Sequence, residues 1–120
     1  MGKQRERRSR NERDNDGART LRLQELIREE VNLLLRNEIR DPRLAGVQIT
    51  MVQLTGDGSC ARLWFTADQE QQDVSAACER VAGFLRTELA ESLGLKRTPE
   101  LRFRRDPATR RLALTEEEII

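Results

Sequence analysis

The side chains that most often carry out chemistry in proteins are sparse in this sequence. It contains no histidine, and its two cysteines, Cys60 and Cys78, do not form a C-x-x-C pair. Without histidine there is no imidazole to act as a general base, and the cysteine spacing does not fit the usual zinc sites. The two thiols are therefore predicted to be buried structural residues of a protein in the reducing cytoplasm.

Carboxylates are the remaining candidates for catalysis, as in a metal-assisted nuclease. Asp41, Asp57, Asp68 and Asp73 fall in separate turns or polar segments of the chain. Acid–base and metal chemistry need groups that converge on one point, and nothing in the spacing brings these four together. The sequence favours a protein that is not an enzyme and holds no metal or other cofactor, with the nuclease kept as an alternative.

Basic side chains suggest a different kind of site, because they are unevenly distributed. The net charge is only +1, but Lys and Arg outnumber the acids in residues 1–22 and 96–111, while acids prevail between these segments and at Glu116–Glu118. Dense positive charge displaces counterions from a phosphate backbone, although a solvated surface would also explain it. The candidates for RNA contact are Arg80, Arg86, Lys96, Arg97, Arg102, Arg104 and Arg105, with a second group formed by Arg36, Arg40 and Arg43.

The first helix is predicted to follow a polar N-terminal segment. Residues 1–19 contain almost no apolar side chains and are expected to form a disordered basic arm. Apolar residues then recur at helical spacing, which predicts an amphipathic helix from about Thr20 to Ile39. Thr20 or Asp16 would cap its start, and Asp41-Pro42 would end it, because the residue before a proline avoids helical backbone. The predicted apolar stripe consists of Leu23, Leu26, Ile27, Val31, Leu34 and Leu35.

A β-hairpin is predicted after this helix. Residues 47–54 and 61–66 alternate between apolar and polar side chains on either side of a Gly- and Asp-rich turn, 55–59. Trp64 lies on the side away from the predicted core. There it could stack on a base, but covering apolar surface at a sheet edge is the commoner role of such a residue.

A second helix and a third strand complete the pattern. The helix would start at an Asp73 cap and end near Gly94, with Gly83 in its middle. Because a mid-helix glycine destabilises a helix, either a kink or the close approach of another backbone is expected there. After Pro99, Leu101 and Phe103 alternate with two arginines, which predicts a strand with one basic face.

This order of elements indicates an α+β fold, α-β-β-α(kinked)-β, with a three-stranded sheet packed against helices on one face. It matches the type II KH topology. The predicted organisation is a disordered arm over residues 1–19, a KH-like RNA-binding domain over 20–107 and a flexible tail over 108–120. No apolar run approaches the roughly 20 residues of a membrane span, so no membrane contact is expected.

Three short motifs resemble the ribosome-binding factor A family of KH-like proteins. They are the Glu38–Leu44 helix-to-strand connection with the following Val47–Thr50, the Ala82–Arg86 segment of the second helix, and Leu93–Phe103 leading into the last strand. The resemblance covers about residues 18–107. In this family an Ala-x-Gly kink replaces the nucleic-acid-binding G-x-x-G loop of other KH domains. The matching positions here are Val81, Ala82 and Gly83, with valine in place of the alanine.

The resemblance implies a ribosome assembly factor. Such a protein would bind the free small ribosomal subunit near the 5′ end of its ribosomal RNA, support late maturation and 5′ processing of that RNA, and matter most in the cold. It would act as a cytoplasmic monomer, with an assembly GTPase as a further partner that promotes its release and with no role in DNA binding. The alternative is a generic KH-like module for single-stranded RNA, against which the missing G-x-x-G loop argues.

Overall fold

The computed structural model describes the backbone of residues 2–68 and 71–107, and side chains within 17–68 and 73–107. Helix α1 spans Gly2–Asn37, and a short 3-10 turn follows at Pro42–Leu44. Strands β1 (Gln48–Leu54) and β2 (Cys60–Thr66) precede helix α2 (Gln71–Leu93) and strand β3 (Glu100–Arg105). This α-β-β-α-β order confirms the predicted α+β fold. The predicted tail, 108–120, lies outside the described residues.

The three strands form one mixed sheet in the order β1-β2-β3. β1 and β2 pair antiparallel as the predicted hairpin, while β3 runs parallel to β2, because α2 crosses over between them. The side chains of Ala61, Leu63 and Phe65 are buried on one face of the central strand, against the helices. Within the described residues, Arg62, Arg102 and Arg104 on the opposite face of the sheet are exposed, as predicted for a sheet covered on one side.

Helix α1 packs against the sheet and also covers the outer edge of β1. Ile27 and Val31 are completely buried, which confirms the centre of the predicted apolar stripe, whereas Leu26 is 40% exposed and lies outside it. Asn32 of this helix accepts a hydrogen bond from the backbone N–H of Ile49 and donates one to its carbonyl, at 2.8 and 3.0 Å. This side chain therefore satisfies the edge strand as another strand would.

The boundaries of both helices differ from the prediction. The structure continues α1 back to Gly2, through Thr20 and Asp16, because the N-terminal segment contains no proline and many good helix formers. That the arm is disordered in isolation stays a prediction. At the other end α1 stops at Asn37, two residues before the predicted Ile39. Helix α2 begins at Gln71, so Asp73 lies in its first turn instead of capping it.

Helix α2 runs without a break through Gly83. A Cβ added at this glycine would meet nothing within 4 Å, so the close approach of another backbone is not the reason for it. The hydroxyl of Thr87 donates to the Gly83 carbonyl at 3.1 Å, an arrangement that tends to bend helices slightly. The structure thus does not divide the segment into two helices, while a bend of the axis at Val81, Ala82 and Gly83 stays a prediction.

The end of α2 is fixed by Gly94, as predicted. This residue has a φ of +62°, in the left-handed region that favours glycine. The N–H of Leu95 donates back to the Ala90 carbonyl at 3.1 Å, which completes a Schellman-type helix end. The chain is thereby directed into the loop that leads to β3.

Candidate nucleic-acid interface

Exposed cations lie on the open face of the sheet, in β3 and in the neighbouring strand β2. The alternation in β3 buries Leu101 and exposes Arg102 and Arg104, which confirms the predicted strand with one basic face. In the parallel register, Arg62 of β2 lies opposite Arg102, and Trp64 lies opposite Arg104. We call Arg62, Trp64, Arg102 and Arg104 the sheet surface.

The second predicted group lies on the helix side, around the Asp41-Pro42 turn. Asp41 caps the 3-10 turn by accepting a hydrogen bond from the Arg43 N–H at 3.0 Å. The Arg43 guanidinium also donates to both carboxylate oxygens, at 3.1 and 2.8 Å. These side-chain bonds first, and the backbone bond second, lower the pKa of Asp41 to about 2. Arg43 is therefore held in a local ion pair with Asp41, while its contact with RNA stays a prediction.

A shallow cleft of about 610 Å³ separates this turn from α2. Arg40 and Arg43 line it on one side, and Arg80, Val81 and Phe84 of α2 line it on the other. Phe84 is 43% exposed, and Arg80 is near enough to contribute to the lowered pKa of Asp41. We call Arg40, Arg80 and Phe84 the turn surface; it brings together cations that lie 40 residues apart in sequence.

A larger groove of about 970 Å³ adjoins the turn surface on the other side of Arg40. It lies between the end of α1 and the start of β1, and the exposed Arg36 is among its lining residues. Within the described residues, the guanidiniums of Arg36 and Arg40 make no hydrogen bond or ion pair, so both remain available to a bound anion.

The remaining predicted contact residues are divided by their surroundings. Lys96 and Arg97 are exposed in the loop between α2 and β3. Arg86 instead donates to the carbonyls of Pro99 and Thr98, at 3.1 and 3.2 Å, and so holds this loop against α2. Arg105 donates to a backbone carbonyl as well, that of Ala67 at 2.6 Å. Arg86 thus holds the loop before β3, and Arg105 ties the end of β3 to the residue after β2, while contact of both with RNA stays a prediction.

Arg62 is a site residue that the sequence did not single out. Its alternation with Ala61 and Leu63 already places it on the polar side of β2, but its position beside Arg102 depends on the parallel register of β2 and β3. Trp64 lies in the central strand, so it does not cover apolar surface at a sheet edge, which was the commoner role expected for it. It is half-buried, and its indole N–H donates to the Gln53 side-chain oxygen of β1 at 3.2 Å.

Among the carboxylates considered for catalysis, Asp41 is hydrogen-bonded to Arg43, and Asp73 is near enough for both to raise the pKa of that guanidinium. Asp57 is occupied within the hairpin turn, where it accepts bonds from the backbone and hydroxyl of Ser59 and from the hydroxyl of Thr55. These bonds, those of Ser59 first, lower the pKa of Asp57 to about 2. In the described part of the chain no three His, Cys, Asp or Glu side chains gather where they could hold a metal ion.

The two thiols are unequal. Cys78 lies on α2 and is buried, and this burial raises the pKa of its thiol to about 12. Cys60 begins β2 and is half-buried, so the predicted burial holds for only one of the pair. Among the described residues, no helix is both long enough and apolar enough to cross a membrane.

These features define a small KH-like α+β domain with exposed basic surfaces on two sides. Comparisons with known proteins agree. A family model described as "Ribosome-binding factor A" matches residues 19–119. The ribosome-binding factor A of Heliobacterium modesticaldum is 44% identical over 93 residues, which cover 75% of this chain and 77% of that protein. For the Nitrosomonas europaea protein the identity is 37% over 99 residues, covering 80% and 85%.

Solved structures give the same result. The crystal structure of ribosome-binding factor A from Thermus thermophilus aligns with a TM-score of 0.69 at 24% identity, over 72% of this chain and 93% of that one. A homology model of the T. thermophilus protein, fitted into a cryo-EM map of its 30S complex, aligns with a TM-score of 0.64 at 25% identity, over 73% and 96%. The chain belongs to the ribosome-binding factor A family.

Proposed function

We propose that the protein is a ribosome assembly factor that binds the free small ribosomal subunit through its ribosomal RNA. The observation that carries this proposal is membership of the family, together with the T. thermophilus relative that was fitted into a map of a 30S complex. The same proposal includes the finer function: binding near the 5′ end of the ribosomal RNA, support of its late maturation and 5′ processing, and a role in adaptation to cold.

The charges of the described residues support RNA as the ligand. Arg36, Arg40, Lys96, Arg97 and Arg104 are exposed and make no hydrogen bond or ion pair among the residues described. Each such cation can release a counterion from a phosphate on binding, so their contributions to affinity add up and fall with salt. An overall net charge of +1 hides this distribution.

Two surfaces on different sides of the domain suit a folded RNA. The turn surface lies on the helix side of the sheet, and the sheet surface lies on the open side. A short single strand would occupy one groove, whereas a structured ribosomal RNA can offer phosphates to both sides at once. This arrangement favours the assembly factor over the generic single-stranded RNA module.

The proposal is for binding without catalysis. Asp41 accepts hydrogen bonds at both carboxylate oxygens and Asp57 accepts three at Oδ1, so both side chains stabilise their own turns. We further propose that the protein acts as a monomer in the cytoplasm and that an assembly GTPase promotes its release. No cofactor is part of this mechanism.

Sedimentation with ribosomal particles tests the proposal. The tagged full chain is centrifuged with purified free small subunits, or with full ribosomes, across a magnesium and salt series. We expect co-migration with free small subunits and little with full ribosomes. Binding to short oligoribonucleotides without any association with small subunits would refute the assembly factor and favour the generic RNA-binding module.

A further inference from the structure

The open face of the sheet carries an aromatic ring with cations beside it. Trp64 occupies the central strand, between Met51 of β1 and Arg104 of β3. Two residues earlier in β2, Arg62 lies between Gln53 and Arg102. These six side chains share the face opposite the buried Leu63 and Phe65 and form one continuous patch across all three strands.

The indole of Trp64 is held in a defined position. Its N–H is already bonded to Gln53 on the neighbouring strand, at 3.2 Å, so its polar edge is satisfied within the sheet. Met51, beside it, is 45% exposed. What the ring still offers to a partner is its aromatic surface next to a flexible apolar side chain, which suits a flat ligand such as a nucleobase.

The cations around this ring are poorly compensated by the protein itself. Within the described residues, Glu100 at 3.7 Å from Arg102 is the one acid paired with any of the three arginines. Arg62 and Arg102 lie opposite each other in adjacent strands, and like charges in such positions destabilise a sheet. An external polyanion would relieve this repulsion, and guanidinium groups are well suited to phosphate.

We propose that the sheet surface is a second RNA-contact site, on which an unpaired base stacks against Trp64 while Arg62, Arg102 and Arg104 contact the adjoining phosphates. This inference rests on the proposed function and deepens it, because it assigns unpaired RNA to the open side of the sheet. Stacking on aromatic rings combined with positive charge is the general means of binding single-stranded nucleic acid.

The test of stacking compares two variants of Trp64 in the full chain, with melting curves to confirm that each is folded. Trp64→Leu removes the aromatic ring, and Trp64→Phe keeps one. We expect Trp64→Leu to bind purified small subunits about tenfold more weakly and Trp64→Phe to stay within about threefold of the wild type. Wild-type affinity in Trp64→Leu, or equal weakening in both variants, would overturn the proposal.

Tryptophan fluorescence reports on RNA binding without the use of ribosomal subunits. The signal comes from Trp64 alone, because the chain contains one tryptophan. We expect an unstructured oligouridylate to quench its fluorescence and a fully paired RNA duplex of equal length to leave it nearly unchanged. Fluorescence that is unchanged by the oligouridylate at saturation would refute stacking. If quenching occurs but the wild type does not associate with small subunits, the proposed function fails while the RNA site stands.

The charge component has a matched control. Arg62→Gln removes a cation from the sheet surface, and Arg22→Gln removes one from the exposed side of α1, with the same change in net charge. We expect Arg62→Gln to reduce the slope of log K against log salt by about 0.7, the value for one phosphate contact with a single strand. Equal slopes for both variants would mean that Arg62 contacts no phosphate, and would overturn its assigned role.

Discussion

Replacement of Gly83 by alanine tests how regular the second helix is at its centre. Glycine in a helix interior is less favourable than alanine by about 0.8–1 kcal/mol, because it loses more backbone entropy on folding. A Cβ at Gly83 would meet nothing within 4 Å, so no steric cost opposes this gain. We therefore expect Gly83→Ala to raise the free energy of unfolding by nearly 1 kcal/mol, or Tm by about 4–8 °C for a domain of this size.

Urea denaturation followed by circular dichroism measures this change, and Gly94→Ala is the matched control. Gly94 has equally open surroundings but a φ of +62°, which costs alanine about 1–2 kcal/mol. The same substitution should thus stabilise the protein at position 83 and destabilise it at position 94. A loss of 1 kcal/mol or more in Gly83→Ala would refute a continuous helix there and favour a sharp break at the glycine.

Two further predictions concern the contacts that hold β1 and the Asp41 turn. Asn32→Ala removes two hydrogen bonds to the backbone of Ile49 and should lower the free energy of unfolding by about 2 kcal/mol in the same denaturation assay. The control is Asn37→Ala, at the exposed end of α1, which should change this free energy by less than about 0.5 kcal/mol. An equal loss in both would show that Asn32 does not support the edge strand. The Asp41 carboxyl should titrate near pH 2 by NMR, and Arg43→Gln should raise its pKa to a value between about 2 and the unperturbed ~3.9, because the backbone bond remains. Since this pKa is lowered by folding, its contribution to stability is present above about pH 4 and is lost as the pH falls toward 2. A wild-type Asp41 pKa of ~3.9 would contradict the observed ion pair.

The sequence predicted the elements of the fold well because their patterns are local. Alternation in β1 and β2, the glycine-rich turn and the helical spacing of Ile27 and Val31 depend on neighbours within a few residues. The position of Gly94 at a helix end has the same local origin. Helix starts were less certain, since α1 extends into a segment whose helix propensity is good but whose polarity suggested disorder.

The sequence indicated which residues could contact RNA, but not how the fold would group them into surfaces. Arg102 and Arg104 could be placed on one face of a strand from alternation alone, but the parallel pairing that sets Arg62 beside them is a property of the tertiary fold. The bonds of Arg86 to the loop before β3 are equally non-local; they hold this loop against α2, while contact of Arg86 with RNA stays a prediction. Charge density in a sequence does not distinguish a cation that is free from one that is already bound.

The salt dependence of binding to free small subunits tests the central proposal most directly. The affinity of the wild type is compared over a range of salt concentrations with that of a variant in which Lys96, Arg97, Arg102 and Arg104 are replaced by glutamine. We expect the wild-type affinity to fall steeply with salt and the variant to bind more weakly, with a slope reduced by about 0.7 for each phosphate that the variant no longer binds. Identical salt slopes for the two proteins would contradict RNA contact through these four residues.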